Sequence, residues 1–435
     1  MKISVDVGYP QHFRIYKRNM LKAEYIFRQC AVEDGSARCR LQTAWWKACL
    51  FCLLFILGGF SCLYFAWQPY SAFQWLLTAA GINAYVLWLL WTALGKNYFL
   101  HNADLQPDFG IANCLTIARA ILICALGGFL FQRPPGSEVG AQWLIWLPGA
   151  LYMAAVLMDY LDGYVARLMR SETRLGEWLD TKIDALGLLV APVLAIGYDR
   201  LPIYYISVGL AYYLFQFGIW HRNQNNRSVI EIKPHPAKRM IAGFQMGLVA
   251  IALFPVFSQP VMTIAATIFM IPLLAGFISD ALVAGGYVKV NDLQQTHWDR
   301  HIDCLSTKFL PVFLRLIISL TVFYFLYEVI VAPARDDHSA VVALLNTAMP
   351  FNLPAMPLFA VAGFMIAGGV MARTFALLTS VIVAGTLTAW DAPFSLFLLL
   401  SCALILMLTG SGMGSIWQPE DKLLLERPRR RPSLV

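Results

Sequence analysis

Four aspartates fall within one short stretch, in the pattern Asp159-x2-Asp162-Gly163-x2-Ala166-Arg167-x8-Gly176-x3-Asp180-x3-Asp184. On a helix, acids three or four residues apart share a face, so Asp159 pairs with Asp162 and Asp180 with Asp184. The polar run from Arg170 to Arg174 favours a turn. This predicts a helical hairpin bringing the two acidic faces together just inside a membrane surface. Four converging carboxylates cannot all stay charged and unpaired there. A divalent cation resolves the repulsion, and hard oxygen ligands suit Mg²⁺ or Mn²⁺. Two ions can share the four acids, as in sites that clamp a transferring phosphoryl group. Gly163 and Ala166 leave room for a ligand near the backbone, and Arg167 offers a fork for phosphate. The purely structural alternative pairs the aspartates with Arg167, Arg170, Arg174 and Lys182.

These acids sit in a very apolar chain. Of its 435 residues 59% are hydrophobic and only 14% charged, and the mean hydropathy is +0.60. A soluble domain of this size carries more surface charge, so the expectation is an all-α polytopic membrane protein. The net charge of +7 does not point to nucleic acid, because the basic residues cluster at the ends and in particular loops, where topology and anionic lipid headgroups call for them. No early apolar core marks a cleavable signal peptide in the polar first 45 residues. Nine cysteines, an odd number, offer no disulfide framework. Cys49-x2-Cys52 opens an apolar run without a second pair and reads as core packing.

Twelve apolar spans follow from the pattern of the chain. A basic arm, 1–47, precedes a transmembrane hairpin over 48–95 with spans near 48–67 and 72–95. Residues 96–110 mix polar and aromatic side chains and are expected to lie along the interface. Six spans, near 111–131, 142–168, 177–197, 201–220, 239–257 and 260–284, belong to a unit covering 96–285. After a polar loop, 286–307, four more spans near 308–332, 354–372, 374–390 and 393–410 make a second unit, 308–412, and 413–435 is a basic tail ending in Arg427–Arg431. Gly363, Gly368 and Gly369 permit close helix packing there. Asn113, Thr116 and Arg119 repeat at three-residue steps on the first of the six core spans. An arginine so far into a span is costly and marks a functional position. His297 and His301 stand four apart in the polar loop, near Asp299 and Asp303; such a pair can share a metal, but mid-loop histidines ordinarily face water. With twelve spans both termini fall on one side, and their basic character makes that side cytoplasmic, together with 96–110, 168–176, 221–238 and 285–307.

The aspartate pattern resembles the signature of the CDP-alcohol phosphotransferase (CDP-alcohol phosphatidyltransferase) family at every fixed position. The run Asn113-Cys114-Leu115-Thr116-Ile117-Ala118-Arg119 is similar to that family's N-x-L-T-x-x-R opening. Six helices with the aspartate hairpin between the second and third is the family's core architecture. Its resemblance implies transfer of a phosphatidyl or substituted phosphate group from a CDP-linked donor to an alcohol hydroxyl, with release of CMP, in phospholipid biosynthesis. It implies that Asp159, Asp162 and Asp180 are principal metal ligands, that Asp184 is the general base and touches the second ion, and that Asn113, Thr116, Arg119, Gly163, Ala166, Arg167, Thr173 and Gly176 line the CDP pocket. CDP-diacylglycerol is the favoured donor over a CDP-linked small alcohol, because the architecture looks bacterial; the setting is then the inner (cytoplasmic) membrane. The acceptor alcohol is not named by the resemblance, and the family's core is often a homodimer. Many members carry Gly-Lys-x-Lys-Thr-x-x-Gln before the fifth helix, where this chain has Ala237-Lys238-Arg239-Met240-Ile241 and then Gln245. A phosphorylated acceptor needs a cationic pocket, for which Arg119, Lys182, Arg222, Lys238 and Arg239 are candidates. Leu408 to Asp421 resembles the close of DoxX-like four-helix membrane proteins. Two other readings compete: a divalent-cation transporter using the intramembrane acids, and an idle scaffold on an enzyme core. A transporter does not need the Gly163, Ala166 and Arg167 set, and the chain shows no inverted repeat of the hairpin.

Overall fold

The computed structural model describes residues 11–99, 105–134, 142–169, 173–225, 227, 229–230, 236–287, 309–331, 355–387, 392–417 and 419, with side chains from residue 37 onward. Arg170 to Glu172, the His297/His301 pair and the Arg427–Arg431 tail lie outside the described residues. Twelve α-helices form among those that are described: α1 (Gln11–Ala66), α2 (Pro69–Ala93), α3 (Gly110–Gly127), α4 (Leu147–Met169), α5 (Arg174–Gly197), α6 (Ile206–Gln224), α7 (Pro236–Ala252), α8 (Gln259–Ala284), α9 (Leu310–Val331), α10 (Ala355–Gly368), α11 (Ala372–Thr386) and α12 (Phe394–Thr409). They match the twelve apolar spans in order. No strand forms among the described residues, only isolated bridges.

Six helical stretches are long and apolar enough to cross a membrane: Ala37–Ala66, Pro69–Lys96, Gly110–Gly127, Gln142–Gly163, Gln259–Ala284 and Leu310–Tyr327. Four shorter apolar helices accompany them, within α7, α10, α11 and α12. The chain is an integral membrane protein. The first span begins well inside α1, which runs unbroken for 56 residues, so the backbone of the basic segment continues directly into the bilayer helix. Gln68 in extended backbone and Pro69 at the first helical position end α1 and start α2.

Helix α3 is the pivot. Two-thirds of its span (67%) is buried, against 17% for the span in α1, which offers its apolar side chains to lipid. Helices α2, α4 and α5 all pack on α3, whereas α4 and α5 make little contact with each other. The expected hairpin is therefore splayed, with α3 wedged between its arms. Trp75 locks α2 onto α3 by donating its indole N–H to the Ala125 carbonyl at 2.9 Å. A side chain at Gly128 would strike that ring, its Cβ falling 2.4 Å from the indole nitrogen.

Helices α9 to α12 pack as a second, four-helix unit, which meets the first through α12 on α8 and through a hydrogen bond from Ser258 to the Leu387 carbonyl. Two buried arginines cap helix ends there. Arg315 on α9 donates to the Ile366 and Ala367 carbonyls at the end of α10 (2.9 and 2.6 Å) and to those of Ser411 and Met413 (3.1 and 3.2 Å). Arg373 on α11 donates to the Met407 and Leu408 carbonyls at the end of α12 (2.7 and 3.2 Å). Gly410 takes a left-handed backbone (φ 93°) against Arg373, and a Cβ there would stand 2.6 Å from its guanidinium. At Gly363 a Cβ would fall 2.8 Å from Val322, so this glycine does allow α9 and α10 to approach closely.

Candidate active site

The site is built on three helices. Helix α3 supplies Asn113, Thr116 and Arg119; α4 supplies Asp159, Asp162, Gly163, Ala166 and Arg167; and α5 supplies Gly176, Asp180 and Asp184, with Thr173 at its N-cap. The side chains of Ala166 and Arg167 lie outside the described residues. Because α3 stands between α4 and α5, both acidic faces turn toward it and meet on Arg119. Its Nη1 pairs with Asp159 and lies 3.7 Å from Asp162. Its Nη2 lies 2.7 Å from Asp180 and 2.9 Å from Asp184. Asp162 is buried, and the Thr116 hydroxyl stands 3.1 Å from its Oδ2. The other three acids are partly open to solvent.

One carboxylate oxygen each from Asp159, Asp162 and Asp180 lies within 4.8 Å of the other two. Such an all-oxygen set can reach a single hard cation, so these residues fit a divalent metal. Arg119 supplies the counter-charge that the structural alternative looked for elsewhere. Arg174 instead pairs with Glu177 at 2.7 Å. Lys182 points to the far face of α5, donating to the Tyr212 hydroxyl at 3.0 Å.

A second network sets the angle at which α5 enters. The Thr173 hydroxyl accepts from the Gly176 amide at 3.0 Å, a helix N-cap. Buried Asn113 donates to the same hydroxyl at 3.0 Å and to Asn97 Oδ1 at 3.2 Å. Asn97 in turn donates to the Gln106 and Asp108 carbonyls, each at 2.9 Å, which ties the chain just before α3 to the hairpin. A Cβ at Gly176 would stand 2.5 Å from Asn113 Oδ1 and 3.2 Å from the Thr173 hydroxyl. Gly176→Ala is expected to break this cap and cost about 2 kcal/mol. Thermal unfolding in detergent measures it; an unchanged melting temperature would show that the network tolerates the methyl.

Three contributors escaped the spacing argument. Asn97 belongs to a segment read only as interfacial. Tyr152, two helical turns before Asp159 on α4, is buried, and its hydroxyl has no protein partner. It lines a small cavity beneath the acids with Arg119, Asp159 and Asp184. Asp280 on α8 pairs with Lys238, so that lysine already has an anionic partner. Arg222 lies 5.9 Å from the Tyr287 ring, and the side chain of Arg239 lies outside the described residues. The spacing of 152 and 159, seven apart, was the one signal that could have drawn Tyr152 onto the acidic face.

Residues 109–274, the stretch from the start of α3 into α8, match the CDP-alcohol phosphatidyltransferase family. This segment is a CDP-alcohol phosphatidyltransferase domain. Over 94 residues the chain is 31% identical to a CDP-diacylglycerol--glycerol-3-phosphate 3-phosphatidyltransferase of Cereibacter sphaeroides, an overlap of 21% of this chain and 39% of that relative. No solved structure matches the chain.

Proposed function

We propose that the protein moves a phosphatidyl group from CDP-diacylglycerol to the hydroxyl of an alcohol and releases CMP, on the cytoplasmic side of a bacterial inner membrane. The observation that carries this reading is the convergence of four carboxylates on α3 inside the family-matched segment. The donor assignment draws on the relative's name and on the lipid-facing wall of the site: Leu157, Tyr160 and Leu161 flank Asp159 on α4 and are exposed. A diacylglycerol tail can lie along that wall while the nucleotide enters from water. The orientation draws on the distribution of basic residues.

Asp159, Asp162 and Asp180 would hold Mg²⁺ or Mn²⁺, with Asp184 beside a second ion. Bound there, the metal supplies charge neutralisation for the diphosphate and its leaving group. The chain's own residues do the rest. Thr116 orients Asp162, and the Thr173 cap fixes the first turn of α5. Asp184 accepts the proton of the acceptor hydroxyl as its oxygen attacks the phosphorus carrying the diacylglycerol. The bond from that phosphorus to the bridging oxygen breaks, and CMP departs with the bridging oxygen.

The test is CMP release by the purified full chain in detergent, with CDP-diacylglycerol, Mg²⁺ or Mn²⁺, and alcohols added singly. Glycerol 3-phosphate leads the panel because of the relative's specificity. Metal-dependent release with one alcohol is the expected result. No release with any of them, from folded protein, would overturn the donor assignment.

A further inference from the structure

Arg119 is 1% exposed, among the most deeply buried charged groups described. Its two terminal nitrogens contact all four site aspartates, and Nη2 also lies 3.3 Å from the Asp180 carbonyl. Its Nε is buried without a partner. Among the described residues the guanidinium is therefore held by the four carboxylates and one longer contact to the Asp180 carbonyl. It offsets one of four negative charges and leaves the site strongly attractive to cations.

The atoms it holds are those a metal needs. Of the three acids whose oxygens cluster, Asp159 and Asp180 each have an oxygen in direct contact with the guanidinium, and Asp162 lies further off at 3.7 Å. A cation drawing on this set competes with Arg119 for Asp159 and Asp180. Yet expelling a buried guanidinium without a new partner is costly. The exchange becomes favourable when an anion arrives with the metal. In the reaction proposed above, on which this inference rests, that anion is the diphosphate of the donor.

We infer that Arg119 is an exchangeable counter-ion: it holds the aspartate site assembled in metal-free protein, and it ties divalent-cation binding to the arrival of a nucleoside diphosphate. Linkage requires the coupling to be reciprocal, each ligand tightening the other.

The experiment measures Mn²⁺ binding by the full chain in detergent from the free-ion EPR signal, with and without CDP, and needs no turnover. Arg119→Gln is expected to bind Mn²⁺ alone at least about tenfold more tightly than wild type, because a unit positive charge beside the ligands is gone. CDP is expected to tighten Mn²⁺ about tenfold in wild type and to lose most of that effect in the variant. Equal Mn²⁺ affinity in the two proteins, or an equal effect of CDP in both, overturns the inference and leaves the metal assignment standing. Absence of Mn²⁺ binding in both proteins, with and without CDP, overturns both the inference and the metal assignment. If Arg119→Gln does not fold, Arg119→Lys replaces the fork by a single point of charge. Tighter Mn²⁺ binding than wild type, with a smaller effect of CDP, then supports the exchange, and wild-type values for both overturn it.

Discussion

Asp184→Asn is expected to lower CMP release by about 10²- to 10⁴-fold, the range for loss of a general base. Asparagine keeps the shape and can still accept from Arg119, which lies 2.9 Å from Asp184 Oδ1 in the wild type. It cannot take a proton from the acceptor hydroxyl. The three acids whose oxygens cluster remain in place, so binding of the ion they would share, and folding, should survive. The check is CMP release per folded molecule alongside the melting temperature in detergent. Retention of more than a third of the wild-type rate would remove Asp184 from the base role, leaving it as a member of the cation site only.

The largest expected loss of stability lies elsewhere, at Arg315. Its guanidinium satisfies four backbone carbonyls, two at the end of α10 and two in the chain after α12. Carbonyls at a helix C-terminus have no partner within the helix. Arg315→Ala strands these acceptors away from water and opens a void beside Gly369, so the cost is expected to be about 3 kcal/mol or more. A single ammonium cannot replace the planar fork, and Arg315→Lys should recover only part of the loss. Denaturant or thermal unfolding in detergent measures both variants. An alanine variant as stable as wild type would mean that water reaches those carbonyls.

Much of this architecture was legible in the residues. Apolar runs of bilayer length, broken at Gln68-Pro69 and in the polar loops, gave the twelve described α-helices in order, although not the extension of α1 back to Gln11. Spacings of three and four put Asp159 with Asp162 and Asp180 with Asp184. They also placed Asn113, Thr116 and Arg119 on one stripe of α3. Periodicity says which residues share a face, but not which face another helix presents. Arg174 and Lys182 are near the acids along the chain, yet among the described side chains the cation that meets them is Arg119, 40 positions before Asp159. Lys182 lies between two of the acids and still points away, because two residues on a helix are 200° apart. The role of Gly176 was also hidden. As a motif glycine it was expected, from the family resemblance, to line the CDP pocket, whereas its missing Cβ makes space for the Asn113 amide. That is a close approach between residues 63 positions apart, which no local pattern records.

The caps on the second unit bear on how the chain is made. Arg315 enters the membrane at the start of α9, while its partners Ser411 and Met413 lie 96 and 98 residues downstream. At roughly 5–20 residues per second, the arginine waits about 5–20 s for them during synthesis. Over that interval its charge must stay near the headgroups, which its position in the second turn of α9 allows. The four-helix unit can close only once the chain has been made through Met413, so a chain cut before residue 411 would insert its helices and leave that arginine without its last two partners.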